Sequence, residues 1–227
     1  IAMKQDKTIL SLIKIGKSEY QQALFEKGQI YMQTAQYFKT LEDDEGRGDK
    51  LEGAVKVEQL TWIKMLSGDH EIEIKKSNGT MIRGNVVTDD LNFNCNIYSM
   101  IGLTEDDINI ETPIDLTNSS LGDYFILIFN VREFNKRIKG KLDEMKLKIS
   151  WGLVNYYDEY QHEGKLDIFM KSAKFKSQKE IRYVAFRDEN EPLIFEIGNI
   201  SDIAIKCSID KLRSIKLINE NEIQIMN

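Results

Sequence analysis

Lys176-Ser177-Gln178-Lys179-Glu180-Ile181-Arg182-Tyr183-Val184-Ala185-Phe186 reads as a strand that is polar at its start and apolar at its end. Successive side chains of a strand point to opposite faces. Gln178, Glu180 and Arg182 are therefore expected on one face, and Ile181, Tyr183 and Ala185 on the other. The apolar set needs a core to pack against. The polar set places an amide, a carboxylate and a guanidinium in a row on one rigid element, roughly 6.5–7 Å apart. That makes the stretch a candidate site as well as a candidate core strand.

Working outward, the rest of the chain supplies partners for such a strand. Thr8 to Ile15 is apolar and β-branched and reads as a central strand. Ser18 is placed to cap a helix running to Lys27, with Tyr20, Leu24 and Phe25 inward and Gly28 as its stop. Gln29 to Thr34 follows as a strand with Ile30 and Met32 on one face and Tyr31 and Gln33 on the other. Gln36 to Leu41 is one helical turn. Strands are expected at Val55–Met65, His70–Lys76, Thr80–Val87 and Phe93–Ile101, with Ser77-Asn78-Gly79 as a hairpin turn. Tyr124 to Phe129 is a fully apolar strand. Asn130 then caps a helix from Val131 to Met145 whose Phe134, Ile138 and Leu142 recur at spacings of four. Gly140 weakens the middle of that helix and is a point where it can split. Lys148–Tyr157, Leu166–Met170, Leu193–Ile197, Ile203–Cys207, Ser214–Ile218 and Glu222–Ile225 complete the strands. The expected fold class is α+β: a single domain over residues 1–227, a mostly antiparallel or mixed sheet with two to four helices.

Composition narrows the function classes. A chain of 227 residues with a formal net charge of -6 can bury a sizeable core. It offers little field for a polyanion, which disfavours nucleic acid as the main partner. Lys171, Lys174, Lys176, Lys179 and Arg182 crowd one region and read as a solvated strand edge that resists aggregation. Cys95 and Cys207, the two cysteines, stand in apolar surroundings and read as buried thiols. No apolar run reaches membrane-spanning length and no signal peptide is visible, so a cytoplasmic protein is expected.

The polar, glycine-rich stretch from Glu42 to Gly53 is long enough to be functional. As a calcium loop it would put Gly46 sixth and Glu52 twelfth, but Leu41 would then stand first and cannot ligate. The stretch is left as a constellation of Arg47, Asp49 and Glu52, or as a solvated loop with weak local ion pairs. His70 and His162 are the only histidines and lack metal-ligand spacing, so no metal site is expected. There is no phosphate-binding glycine loop and no nucleophile elbow. Aromatic residues are dense from Trp151 to Phe186. They suit core packing, and alternatively a stacking platform for a base or nicotinamide ring.

Taken together, Gly28-Gln29-Ile30-Tyr31, Tyr37-Phe38, Arg47-Gly48-Asp49 with Glu52-Gly53, and the late Gln178, Glu180 and Arg182 resemble a bacterial family of unknown function. That family pairs an early RGD-x-x-EG loop with a late Q/E-x-E-x-R strand. The resemblance implies that loop and strand meet, as a site or as a structural salt-bridge cluster. The chain is more weakly similar to ADP-ribosyltransferase-like folds, which open with strand, helix, strand and carry a late Gln/Glu-x-Glu. That similarity implies NAD as cofactor and Glu180 as the catalytic acidic residue, which stabilises the ribosyl cation. Arg47 and Arg182 would clamp anions, Asp49, Glu52 and Gln178 would complete the ligand site, and Tyr31 or Tyr37 would stack. The sequence departs from the pattern at Lys14, where an Arg or His is expected, and at Gln33-Thr34-Ala35, where a serine-rich motif is expected. The alternative function is a non-catalytic protein-interaction factor of a phage, mobile element or defence system. The partner is thus a small-molecule ligand or another protein.

Overall fold

The computed structural model describes residues 7–41, 54–67, 70–75, 84–89, 94–108, 122–219 and 222–225. The chain opens with β1 (Ile9–Gly16), α1 (Ser18–Lys27), β2 (Gln29–Thr34) and α2 (Ala35–Thr40). Strands β3 (Ala54–Gln59), β4 (Trp62–Ser67), β5 (His70–Lys75), β6 (Asn85–Asp89) and β7 (Cys95–Thr104) follow. Next come β8 (Tyr124–Ile128), α3 (Val131–Glu144), β9 (Lys148–Leu153), β10 (Asn155–Tyr157), β11 (Gly164–Lys165) and β12 (Met170–Ser172). The last strands are β13 (Glu180–Phe186), β14 (Leu193–Glu196), β15 (Ala204–Ser208), β16 (Ile215–Asn219) and β17 (Glu222–Ile225). Short 3-10 helices occupy Glu105–Asp107, Ala173–Gln178 and Ile209–Ser214. This is a single α+β domain with mostly antiparallel sheets, and its three α-helices among the described residues fall within the expected number.

Strand β7 organises the main sheet of eight strands. One edge of β7 carries β13 along Cys95–Ile101, and β9 lies outside β13. The other edge is shared: β1 pairs with residues 101–104 and β2 with Asn96 and Ile97. From there the sheet fans out, β8 and β15 beyond β1, β14 beyond β2, every pairing antiparallel. Helix α1 carries the chain from β1 to β2 and ends at Gly28, whose φ of 61° is left-handed. A Cβ there would meet Gly198 O at 2.2 Å, so glycine is required twice over.

The core divides by sheet face, as alternation demands. Leu12, Tyr98, Met100, Ile126, Ile128, Ile181 and Tyr183 pack beneath α1 and α3, which bury Leu24, Phe134, Ile138 and Leu142. On the opposite face, Ile13, Leu103, Phe125 and Leu127 pack against Leu212, Ile215 and Leu217. A smaller cluster of Ala35, Cys95, Ile97, Ile168 and Val184 lies toward β2. Among the described residues no helix is long and apolar enough to cross a membrane.

Several expectations need correction. Tyr20 points outward, because Gln21 and Leu24 take the buried positions of α1, and the helix is capped at Lys17 without a side-chain bond rather than by Ser18. Gly140 does not split α3, whose turns hold on the buried Phe134, Ile138 and Leu142. The expected Val55–Met65 strand is two, β3 and β4, in separate small sheets. The expected Lys148–Tyr157 strand breaks at Val154, where the backbone N–H reaches Glu180 O and that of Asn155 turns to Phe169 O. That exchange of partners lets β10 run parallel with β12, which is shifted toward Ser172 from the expected Leu166–Met170. Cys95 is buried, Cys207 is half-buried, and the two are not joined in a disulfide. The Ser77-Asn78-Gly79 turn lies outside the described residues.

Candidate functional site

Strand β13 starts at Glu180, not upstream. Ser172 Oγ accepts the N–H of Lys174, and residues 173–178 wind into a 3-10 helix anchored by the buried Phe175. Lys179 then turns through a left-handed φ of 44°. Gln178 is therefore not on the strand with Glu180 and Arg182, as alternation alone suggests; a short polar run chose local side-chain bonding over extension. The remainder follows the expected pattern. Ile181, Tyr183 and Ala185 enter the helix-covered core, while Glu180 and Arg182 face the other way.

On that face β13 and β7 put Arg182 opposite Ser99 and Glu180 opposite Ile101. The Glu180 carboxylate is engaged at both oxygens. Oε1 accepts from Ser99 Oγ at 2.6 Å and from Arg182 Nε at 2.7 Å, and Oε2 accepts from Lys171 Nζ at 2.9 Å. The Lys171 ammonium also donates to Gln178 Oε1 at 2.9 Å and lies 4.5 Å from the centre of the Phe175 ring. Arg182 Nη1 donates to Ile168 O. The Glu180 N–H donates to Tyr156 Oη at 2.8 Å. Lys14 of β1 lies apart from this group, on the other edge of β7 and toward the helix-covered face: its Nζ donates to Ser99 O at 2.6 Å and sits over Tyr98. It fills the stretch of the β7 edge between the segments paired by β1 and by β2.

The group is closed. Glu180 retains 6% of its surface, Lys171 4% and Arg182 1%. Burial opposes ionisation of Glu180, but the guanidinium of Arg182, the ammonium of Lys171 and the Ser99 hydroxyl outweigh it. They hold the carboxyl well below the usual carboxylate range. Burial likewise pushes the Tyr156 hydroxyl up. A carboxylate held this way has no proton to give, so general-acid chemistry is outside its reach. Two cations around one anion, each with further acceptors, is instead the pattern by which a buried charge is made tolerable.

Gln178 thus joins Glu180 and Arg182 through Lys171 rather than by sharing their strand. Tyr31 and Tyr37 do not join them. Tyr31 lies on the outer face of β2 beside Ile194 of β14, Tyr37 packs edge-on against Phe38, and both are exposed. Arg47, Asp49 and Glu52 lie outside the described residues. Lys171, Ser99 and Tyr156 are members that sequence reading did not assign to the cluster. Lys171 in particular belongs to the inside, not to a solvated basic edge; Lys179 too is drawn off, to Asp107. The available signals were local: Lys171 follows Ile168-Phe169-Met170, and Ser99 interrupts an apolar run. No family model, curated protein or solved structure matches the chain.

Proposed function

We propose that the chain is a non-catalytic binding protein, and that the Glu180 cluster is a clasp fastening the segment from Val154 to Gln178 onto the main sheet. The observation that supports this is the full engagement of Glu180: two charged donors and a hydroxyl on its oxygens, in a place that retains almost no exposed surface. A carboxylate that stabilises a ribosyl cation needs a face turned to substrate. Here the face is turned to Lys171 and Arg182.

The test is nicotinamide release. The full chain is incubated with NAD alongside Glu180→Gln, and thermal stability is followed in parallel. The expected result is no release from either protein and a marked loss of stability in the variant. Release by the wild type that disappears in Glu180→Gln, with the melting temperature unchanged, would overturn the proposal.

A further inference from the structure

On the other face of β13 an aromatic ladder crosses three strands. Tyr183 is in register with Tyr98 of β7 on one side and Trp151 of β9 on the other. The Tyr98 and Tyr183 rings lie 6.4 Å apart, and Trp151 stacks on Tyr183 at 6.3 Å with 24° between planes. Phe134 of α3 meets Tyr183 edge-on and closes the inner end. The outer end is open. Trp151 keeps 37% of its surface, and what is not on Tyr183 lines a groove of about 690 Å³ between α3, β9 and the start of β1. That volume falls in the range of small-ligand sites, ~300–1,000 Å³.

Three features of the groove point to one ligand chemistry. Gly140 lines it in mid-helix, and a Cβ there would meet nothing within 4 Å. The glycine serves no close packing and leaves the groove open at that point of its wall. Asn135 also lines the groove, and its Oδ1 accepts from the Tyr183 hydroxyl at 2.6 Å. In this orientation Nδ2, which no described residue accepts from, is a donor beside the ring. Arg132, Lys136 and Lys139 follow at helical spacings of four and three along the same wall. Lys136 and Lys139 are steadied by the half-buried Glu133 and by the exposed Asp143, which also lines the groove, ion pairs whose hold is weak.

We propose that this groove binds an organic anion built on a planar ring, of the nucleoside monophosphate class. The ring stacks on Trp151, the Asn135 amide donates to a ring acceptor, and the phosphate meets Arg132, Lys136 and Lys139. The proposal rests on reading the chain as a binding protein, and its site lies across the sheet from Glu180.

The experiment uses the full chain carrying Trp62→Phe, which leaves Trp151 as the single tryptophan of the two in the sequence. Its fluorescence is titrated with adenosine 5′-monophosphate, with adenosine and inorganic phosphate as separate arms. Saturable quenching by the nucleotide is expected, weaker by about tenfold for adenosine and absent for phosphate. Trp151→Ala, followed by calorimetry, weakens binding by about tenfold or more. Gly140→Leu fills the groove and removes binding without lowering the melting temperature, because leucine is the better helix former. No saturable response to any of the four common nucleoside monophosphates at millimolar concentration overturns the proposal. Equal response to phosphate alone, equal affinity for adenosine, or binding unaffected by Gly140→Leu does so too. Nicotinamide release in the NAD assay would overturn the binding-protein reading instead, a result separable from every arm of this titration.

Discussion

Glu180 and Arg182 show how far a single residue pair commits its surroundings. Each has left water almost completely, and each is tolerable only because the other is there. Removing one member strands the rest: Glu180→Gln is expected to cost about 3–5 kcal/mol. In a domain of this size that corresponds to a melting temperature lower by roughly 6–20 °C, measurable by calorimetry. Replacing Glu180, Arg182 and Lys171 together by Leu, Met and Met should cost less than Glu180→Gln alone, because no charge is then left unpaired. The pH dependence has a definite sign. The carboxyl is depressed in the folded protein, so its stabilisation is complete above the ordinary glutamate range, about 4.5, and is lost as pH falls below it toward the depressed folded value. Thermal melts between about pH 5 and pH 3 should therefore steepen in the wild type and be flatter in Glu180→Gln. The pair itself was legible, since two-residue alternation places both side chains on one face. Lys171 was not. A lysine is buried only when a carboxylate waits for it, and that carboxylate stands on another strand.

At the level of elements, two glycines make opposite demands. Gly28 ends α1 in a left-handed turn against Gly198, where a methyl group would strike a carbonyl at 2.2 Å. Gly28→Ala is expected to destabilise by more than ~1 kcal/mol, through both the clash and the positive φ. Gly140 stands in α3 with nothing around its absent Cβ, so Gly140→Ala should stabilise by about 0.5–1 kcal/mol. Urea denaturation of the two variants beside the wild type checks both signs at once. The stop at Gly28 was readable because a glycine closing an amphipathic run is a local signal. The integrity of α3 was not, because it rests on the core beneath Phe134, Ile138 and Leu142 rather than on the propensity of residue 140. The break at Val154 was hidden for a similar reason. Only the positions of Glu180 O and Phe169 O reveal why a continuous β-like run changes partners there.

For the whole molecule, alternation and apolar runs were sufficient for the fold class, while strand order was not, because pairing joins residues far apart. β13 lies against β7 with Arg182 opposite Ser99, and nothing near either residue announces the other. The order matters for how the molecule opens. β1, β7 and β8 are buried between two layers of core. The segment from Val154 to Gln178 is attached differently. Its ties to the sheet are the Glu180 cluster, the Val154 N–H on Glu180 O and Ile168 packed with Ile97 and Val184, and its ties to β3 are the β11 pairing, the Leu166 N–H on Val55 O and the packing of Tyr157 and Leu166 on Ala54 and Val57. Such a unit should open without unfolding the rest. Native-state hydrogen exchange at low denaturant is expected to give the amides of Val154, Asn155 and Leu166 a smaller opening free energy than those of β1 and β8. Their exchange should also depend less on denaturant, since a local opening exposes less surface. A common free energy and a common denaturant slope for both sets would show that the clasp belongs to one indivisible core. A separation of the two would show that the strand bearing Glu180 is the dock for a segment able to lift as a unit, with the charges of Lys171 and Arg182 setting the free energy of that motion.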